Sequence, residues 1–86
     1  MAVYNIFFRD SVRKDLDSIP DDYLKRIMER IGSLAENPRP VGCEKLSGQE
    51  KYRIRQGVYR IIYSIQDTQL IVWVVKVGHR REVYRN

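Results

Sequence analysis

Residues 51–77 hold three β-rich stretches separated only by one glycine and one short polar turn. Residues 51–56 (KYRIRQ) alternate, with Tyr52, Ile54 and Gln56 on one face and Lys51, Arg53 and Arg55 on the other. Gly57 permits a tight turn into residues 58–65 (VYRIIYSI), and Asp67-Thr68 turns the chain again into residues 70–77 (LIVWVVKV). Connections this short join antiparallel neighbours, so this half of the chain is confined to a three-stranded meander. Gly78 is expected to end the last strand, leaving HRREVYRN as a short tail.

The first half reads differently. Residues 3–8 (VYNIFF) are β-branched and aromatic, bounded by Arg9-Asp10, and predict a strand. Asp10 or Ser11 is placed to cap a short helix running to about Ser18, with Val12, Leu16 and Ile19 spaced for one buried stripe. Ser18-Ile19-Pro20-Asp21 opens a second helix: the serine as cap, the proline in the first turn, Asp21 and Asp22 at the positive end. Its apolar positions Tyr23, Leu24, Ile27, Met28, Ile31 and Leu34 keep a helical period until Asn37-Pro38 stops it. Residues 37–48 (NPRPVGCEKLSG) read as a loop. The expected architecture is α+β, in the order β-α-α-β-β-β. The two helices form an antiparallel hairpin whose apolar faces the sheet covers, and there is little or no C-terminal helix.

The 86 residues make one small domain, 1–86, whose fold buries roughly 60–65% of the unfolded surface. An apolar content of 43% beside 31% charged residues rules against wholesale disorder. The longest apolar run, residues 70–75, is far too short to cross a bilayer, and no charged-then-apolar leader opens the chain, so no membrane partner is expected. Cys43 has no second cysteine to pair with and the chain offers one histidine, which argues against a zinc site and for a reducing cytoplasm. No metal and no cofactor are expected.

Charge is placed unevenly. Residues 1–42 carry seven basic and seven acidic side chains, while residues 43–86 carry nine basic and four acidic, so the whole net charge of +5 belongs to the second half. A concentrated positive surface beside aromatics is what a polyanion binder needs. Arg53 and Arg55 project from one strand face, Arg60 lies on the neighbouring strand across the Gly57 turn, and Arg80 and Arg81 follow the last strand with Tyr84 close behind. If the three strands are neighbours, these side chains converge on one patch. The guanidinium fork grips phosphate oxygens through two hydrogen bonds and stays charged. Arg53 and Arg55 also suit a solvated strand face that deters edge-to-edge aggregation. Arg60 is harder to dismiss, because it interrupts a run, residues 58–63, whose other members want burial. A charge there snorkels, pairs with an acid or faces a functional surface. The acids in this half are Glu44, Glu50, Asp67 and Glu82. His79 and Tyr84 are the tail groups able to shuttle protons, although Tyr84 also suits a tail anchor packed on the sheet. Tyr52, Tyr59 and Tyr63 read as core or sheet-face aromatics.

The runs Tyr52-Arg53-Ile54-Arg55, Gly57-Val58-Tyr59-Arg60-Ile61-Ile62-Tyr63 and Val77-Gly78-His79-Arg80-Arg81-Glu82-Val83-Tyr84-Arg85, with Lys45-Leu46 ahead of them, resemble the RelE branch of the RelE/ParE toxin superfamily. The likeness covers essentially the whole chain. It implies the toxin of a bacterial or archaeal type II toxin–antitoxin pair: a metal-independent mRNA interferase, an endoribonuclease that cuts messages in the ribosomal A site. In that chemistry the ribose 2′-hydroxyl displaces the 5′-oxygen of the next nucleotide and leaves a cyclic phosphate. Carried across by position, Arg60 and Arg80 match the family's phosphate-gripping arginines and Tyr84 its catalytic or base-stacking tyrosine. Lys45, Lys51, Arg53, Arg55, His79 and Arg81 are the implied RNA-binding residues.

The family's second strand commonly places lysines where this chain has Arg53 and Arg55. Lysine exchanges protons and arginine effectively does not, so the general base stays open among Tyr84, His79 and Lys51. The implied partners are a RelB-like antitoxin laid across the basic sheet, the ribosome with its message, and operator DNA bound through the toxin–antitoxin complex. The chain ends two residues after Tyr84, where many relatives carry a further helix. Two other functions fit the same fold. One is a ParE-like inhibitor of DNA gyrase, a group that generally lacks the arginine–arginine–tyrosine set. The other is an RNA- or antitoxin-binding module without activity.

Overall fold

A computed structural model of the chain describes residues 3–48 and 50–80. Strand β1 (Asn5–Phe8) leads into helices α1 (Asp10–Asp17) and α2 (Asp21–Ser33), followed by the two-residue strand β2 (Glu44–Lys45) and the meander β3 (Lys51–Gln56), β4 (Tyr59–Gln66) and β5 (Ile71–His79). One sheet holds all five strands in the order β1-β5-β4-β3-β2, antiparallel except where β1 runs parallel to β5. The α+β class and the strand, helix, helix, meander order are those the sequence predicts.

The turns follow from local chemistry. Gly57 sits at φ 62° between β3 and β4, a left-handed value that glycine adopts without steric penalty. The second turn is longer than Asp67-Thr68, taking residues 67–70 and holding Leu70 at φ 55°. A leucine in that region is strained. A tertiary contact holds it there: the Leu70 carbonyl accepts a 2.8 Å hydrogen bond from the Asn5 N–H, at the start of the β1–β5 pairing.

Several boundaries differ from those expected. The last strand runs through Gly78 to His79, because β4 extends back to Tyr59 and pairs with it. Glycine weakens a strand, but it does not end one while its flanks are laddered. The presumed loop 37–48 contains β2, which pairs with β3. Helix α2 stops at Ser33 instead of reaching Asn37. The Ser33 hydroxyl donates to the Arg30 carbonyl at 2.6 Å, and the Leu34 N–H closes a tight turn on Ile31 at 3.0 Å. Neither helix has a side-chain N-cap. Arg9 and Pro20 occupy those positions, and the Ser18 hydroxyl donates to the Asp15 carbonyl within α1 instead of capping α2.

Helix α1 lies over β5 and α2 over β3, on one face of the sheet. Val12, Ile19, Ile27, Ile31 and Leu34 pack there against Ile54, Ile61, Tyr63, Val72, Val74 and Val77, every one of them buried. Ile54 faces Ile61 and Ile61 faces Val77 on the helix side, and after a one-residue shift in the β4–β5 register at Ile62/Tyr63 the pairs Tyr63–Val74 and Ile65–Val72 stay on that side, so the residues between them point the other way. Where β1 ends, the free edge of β5 is closed by a side chain. Asp15 accepts hydrogen bonds from the Val77 N–H at 3.2 Å and the Lys76 ammonium at 3.3 Å. Tyr63 brings its hydroxyl into the core and donates it to the Pro38 carbonyl at 2.6 Å, tying the loop after α2 to the sheet.

A second tie holds the same loop. Arg39 donates two hydrogen bonds to Asp67, at 3.1 and 2.9 Å, while Tyr4 donates a third at 2.7 Å and the guanidinium lies over the Tyr52 ring. The Arg39 bonds, then that of Tyr4, lower the Asp67 carboxyl from 3.8 to about 2. A carboxylate whose folded pKa is depressed stabilises the fold above its unfolded value and loses that contribution as pH falls through the folded one. Asp67→Asn is therefore expected to melt below the parent at pH 7. Thermal melts of both from pH 7 downward check this, and the gap should close between pH 3.8 and about 2. A constant gap over that window would assign the difference to shape instead of charge.

Candidate functional site

The face turned away from the helices carries the basic side chains. Arg55 stands directly opposite Arg60 on β4, and Arg60 opposite Gly78 on β5. Two residues along, Arg53 faces Ile62, which faces Lys76; Lys51 lies one step further, opposite Ser64. Arg80 follows β5 directly, its N–H held by the Val58 carbonyl at 2.8 Å. The alternation of β3 and the short Gly57 turn produce this convergence, since they put odd positions of β3 and even positions of β4 on one side.

Arg60 is the centre of the group. Only 8% of it is exposed, and its guanidinium donates to the Tyr59 carbonyl at 3.2 Å and the Gly57 carbonyl at 3.5 Å. No described carboxylate forms an ion pair with it. Burial lowers its pKa, and the charges of Arg55, Arg53 and Arg80 lower it further, against a smaller opposing pull from Glu44. An arginine stays protonated regardless. The cation is thus held where water is scarce and three like charges are near, which an arriving phosphate would relieve.

The other sequence-derived candidates are distributed unevenly around this centre. Arg53 shares the face but is hydrogen-bonded to Glu44 across β2 and β3. Lys45 lies opposite Tyr52, on the helix side of the register, with Glu50 3.9 Å away. His79 also falls on the helix side: it pairs with Tyr59 and meets that ring edge-on at 6.0 Å, while Tyr59 meets Tyr23 of α2 at 5.7 Å. Arg81 and Tyr84 lie outside the described residues. Glu44 is one of four acids the sequence offers as a counter-ion, but its place on a strand and its pairing with Arg53 are not legible there, because a strand of two residues is too short to show alternation. Among the described residues, no group of three or more His, Cys, Asp or Glu could hold a metal ion, and no helix is long and apolar enough to cross a membrane.

Known proteins share both sequence and fold. The family described as the ParE toxin of type II toxin–antitoxin systems, parDE, matches residues 6–84. Toxin RelG of Mycobacterium tuberculosis is 33% identical over 86 residues, covering 95% of this chain and 97% of its own. The mRNA interferase toxin RelE of Escherichia coli is 27% identical, covering 94% of this chain and 90% of its own. The toxin in the archaeal RelE–RelB complex from Pyrococcus horikoshii superposes with a TM-score of 0.82 at 29% identity, over 93% of this chain and 98% of that one. The meander with its arginine face, the helix pair that backs it and these matches over nearly the full length have one reading: the chain belongs to the ParE toxin family of type II toxin–antitoxin systems and is one of its RelE-like toxins.

Proposed function

We propose that this toxin is a ribosome-dependent endoribonuclease that cuts mRNA in the A site by attack of a ribose 2′-hydroxyl on the adjacent phosphate. Arg60 carries the reading: a buried guanidinium without a described carboxylate partner, among Arg55, Arg53 and Arg80. In-line attack builds negative charge on the phosphoryl oxygens, and donors already fixed in place stabilise that charge without reorganising. Arg60 and Arg80 grip the phosphate, Lys51, Arg53 and Arg55 hold the flanking backbone, and Tyr84, outside the described residues, takes the catalytic or base-stacking part that its place in the sequence implies. So sparse a site leaves alignment of the 2′-hydroxyl to the ribosome. The mRNA interferase name of the Escherichia coli relative points the same way. The archaeal relative is found in complex with RelB, which supports a RelB-like antitoxin as partner. An antitoxin laid across the basic face, and operator DNA bound through the toxin–antitoxin complex, belong to the same reading.

The assay is a ribosome programmed with a defined A-site codon. Added toxin should cut within that codon and leave a 2′,3′-cyclic phosphate on the upstream fragment. An intact message at saturating toxin would remove the assignment. The ParE description of the matching family supports a second reading, inhibition of DNA gyrase. It would show as DNA-damage signalling without message cleavage.

A further inference from the structure

The open face does not end at the arginines. Along the strands, toward the opposite end of the sheet, the register sets Phe7, Trp73, Ser64 and Lys51 side by side across β1, β5, β4 and β3. The Phe7 and Trp73 rings lie 5.2 Å apart at 31°, and Phe7 is 43% exposed, a large aromatic surface left to solvent on a sheet face. Beside them is a shallow depression lined by Phe8, Ser64, Gln66 and Trp73 from the sheet and by Arg9, Asp10 and Ser11 where α1 begins. Ser64 is four positions along β4 from Arg60, a separation of roughly 13 Å at the usual rise of a strand. Between the two ends stand Ile62, Lys76 and Arg53.

We infer that the Phe7–Trp73 pair is a base-stacking platform of the same substrate track, taking a nucleobase of the single-stranded message a few nucleotides from the phosphate held at Arg60. The inference rests on the nuclease reading of that arginine cluster. Three observations favour a nucleic acid over an apolar protein segment as the occupant. The aromatic surface runs on along the same face to Arg53 and Lys76, which reach Glu44 and Asp15, and beyond them to Arg55 and Arg60. Lys51 stands in the same row as the rings, where a phosphate would pass. Arg9 borders the depression on its other side. Aromatic rings alternating with cations along a groove suit single strands, because every base offers a π-face and every linkage a charge. Two rings on neighbouring strands have little freedom to lose when a base settles on them.

Trp73 is the only tryptophan of the chain, so its fluorescence reports on this platform alone. The full-length toxin is titrated with a short, uncleavable 2′-O-methyl RNA, reading anisotropy for binding and Trp73 emission for stacking. The same message is cut on programmed ribosomes. Binding should quench Trp73, and one abasic position in the RNA should abolish the quench. Trp73→Leu keeps an apolar side chain without a π-face and should raise the half-saturating toxin concentration on the ribosome about tenfold, the scale of one lost base stack. It should leave the turnover at saturation unchanged, whereas Trp73→Phe should restore most of the affinity.

Arg60→Ala separates the two readings. If it cuts as well as the parent, the nuclease site itself is wrong. If it abolishes cutting while Trp73→Leu behaves as the parent, the platform is wrong and the nuclease reading stands. Oligonucleotide binding that leaves Trp73 emission unchanged overturns the platform as well. So does quenching by a neutralising antitoxin but not by RNA, which would make this a protein-docking surface.

Discussion

Arg60→Ala is expected to abolish toxicity while leaving the domain as stable as the parent or more so. The activity side follows from charge. Removing one preorganised donor from a developing oxyanion lowers turnover roughly a hundred- to thousandfold, and removing Arg80 with it deepens the loss. The stability side follows from position. Arg60 is 8% exposed, opposed by Arg55, Arg53 and Arg80, with Glu44 the smaller counterweight. Replacing a buried charge that no described carboxylate pairs by an apolar side chain removes a desolvation penalty and relieves repulsion among like charges. Arg60→Met, which keeps the length and the methylene packing, should therefore melt above the parent and be inactive. Induced expression with growth curves, cleavage on programmed ribosomes and thermal melts measure the three quantities. A double variant, Arg60→Ala with Arg80→Ala, that still halts growth would sink the catalytic assignment. A variant that merely unfolds would show that the arginine serves structure.

Legibility in the sequence tracked how local the controlling interaction was. The meander was readable because Gly57 and the spacing of Tyr52, Ile54, Ile61 and Tyr63 act over a few residues. The convergence of Arg53, Arg55 and Arg60 followed from the same parity. What escaped depended on partners distant in the chain. Strand β2 exists only because Glu44 and Lys45 find Arg53 and Tyr52. His79 looked like a tail residue beside the arginines. Pairing with Tyr59 draws it into β5 and puts it on the helix side, because a shift of one residue changes the face. Ser18 has the chemistry of a cap for α2, yet its hydroxyl is satisfied by Asp15 within α1. The parallel seat of β1 beside β5, and with it the Phe7–Trp73 pair, has no local signal at all.

Ile54→Ala should also abolish toxicity, by the opposite route. Ile54 stands between Arg53 and Arg55 on β3, fully buried on the helix side while they face out, so the core fixes the strand that presents the cations. Truncating it leaves a cavity beneath β3 and destabilises the fold by about 2–5 kcal/mol. That is a large share of the 5–15 kcal/mol or so typical of a domain, and an 86-residue chain belongs near the lower end. A loss of this size lowers the Tm by at least about 8 °C. Ile54→Val, which removes a single methyl group, should lose only about 0.5–1.5 kcal/mol and keep its toxicity. Temperature then distinguishes the two kinds of inactive variant. Cells carrying Ile54→Ala should regain growth arrest at low temperature, where the folded fraction recovers, while Arg60→Ala stays harmless at every temperature. If Ile54→Ala arrests growth at 37 °C with a melt unchanged from the parent, β3 is not anchored through this residue. The link from core to cation face would then have to run through the turn at Gly57 and the pairing with β4.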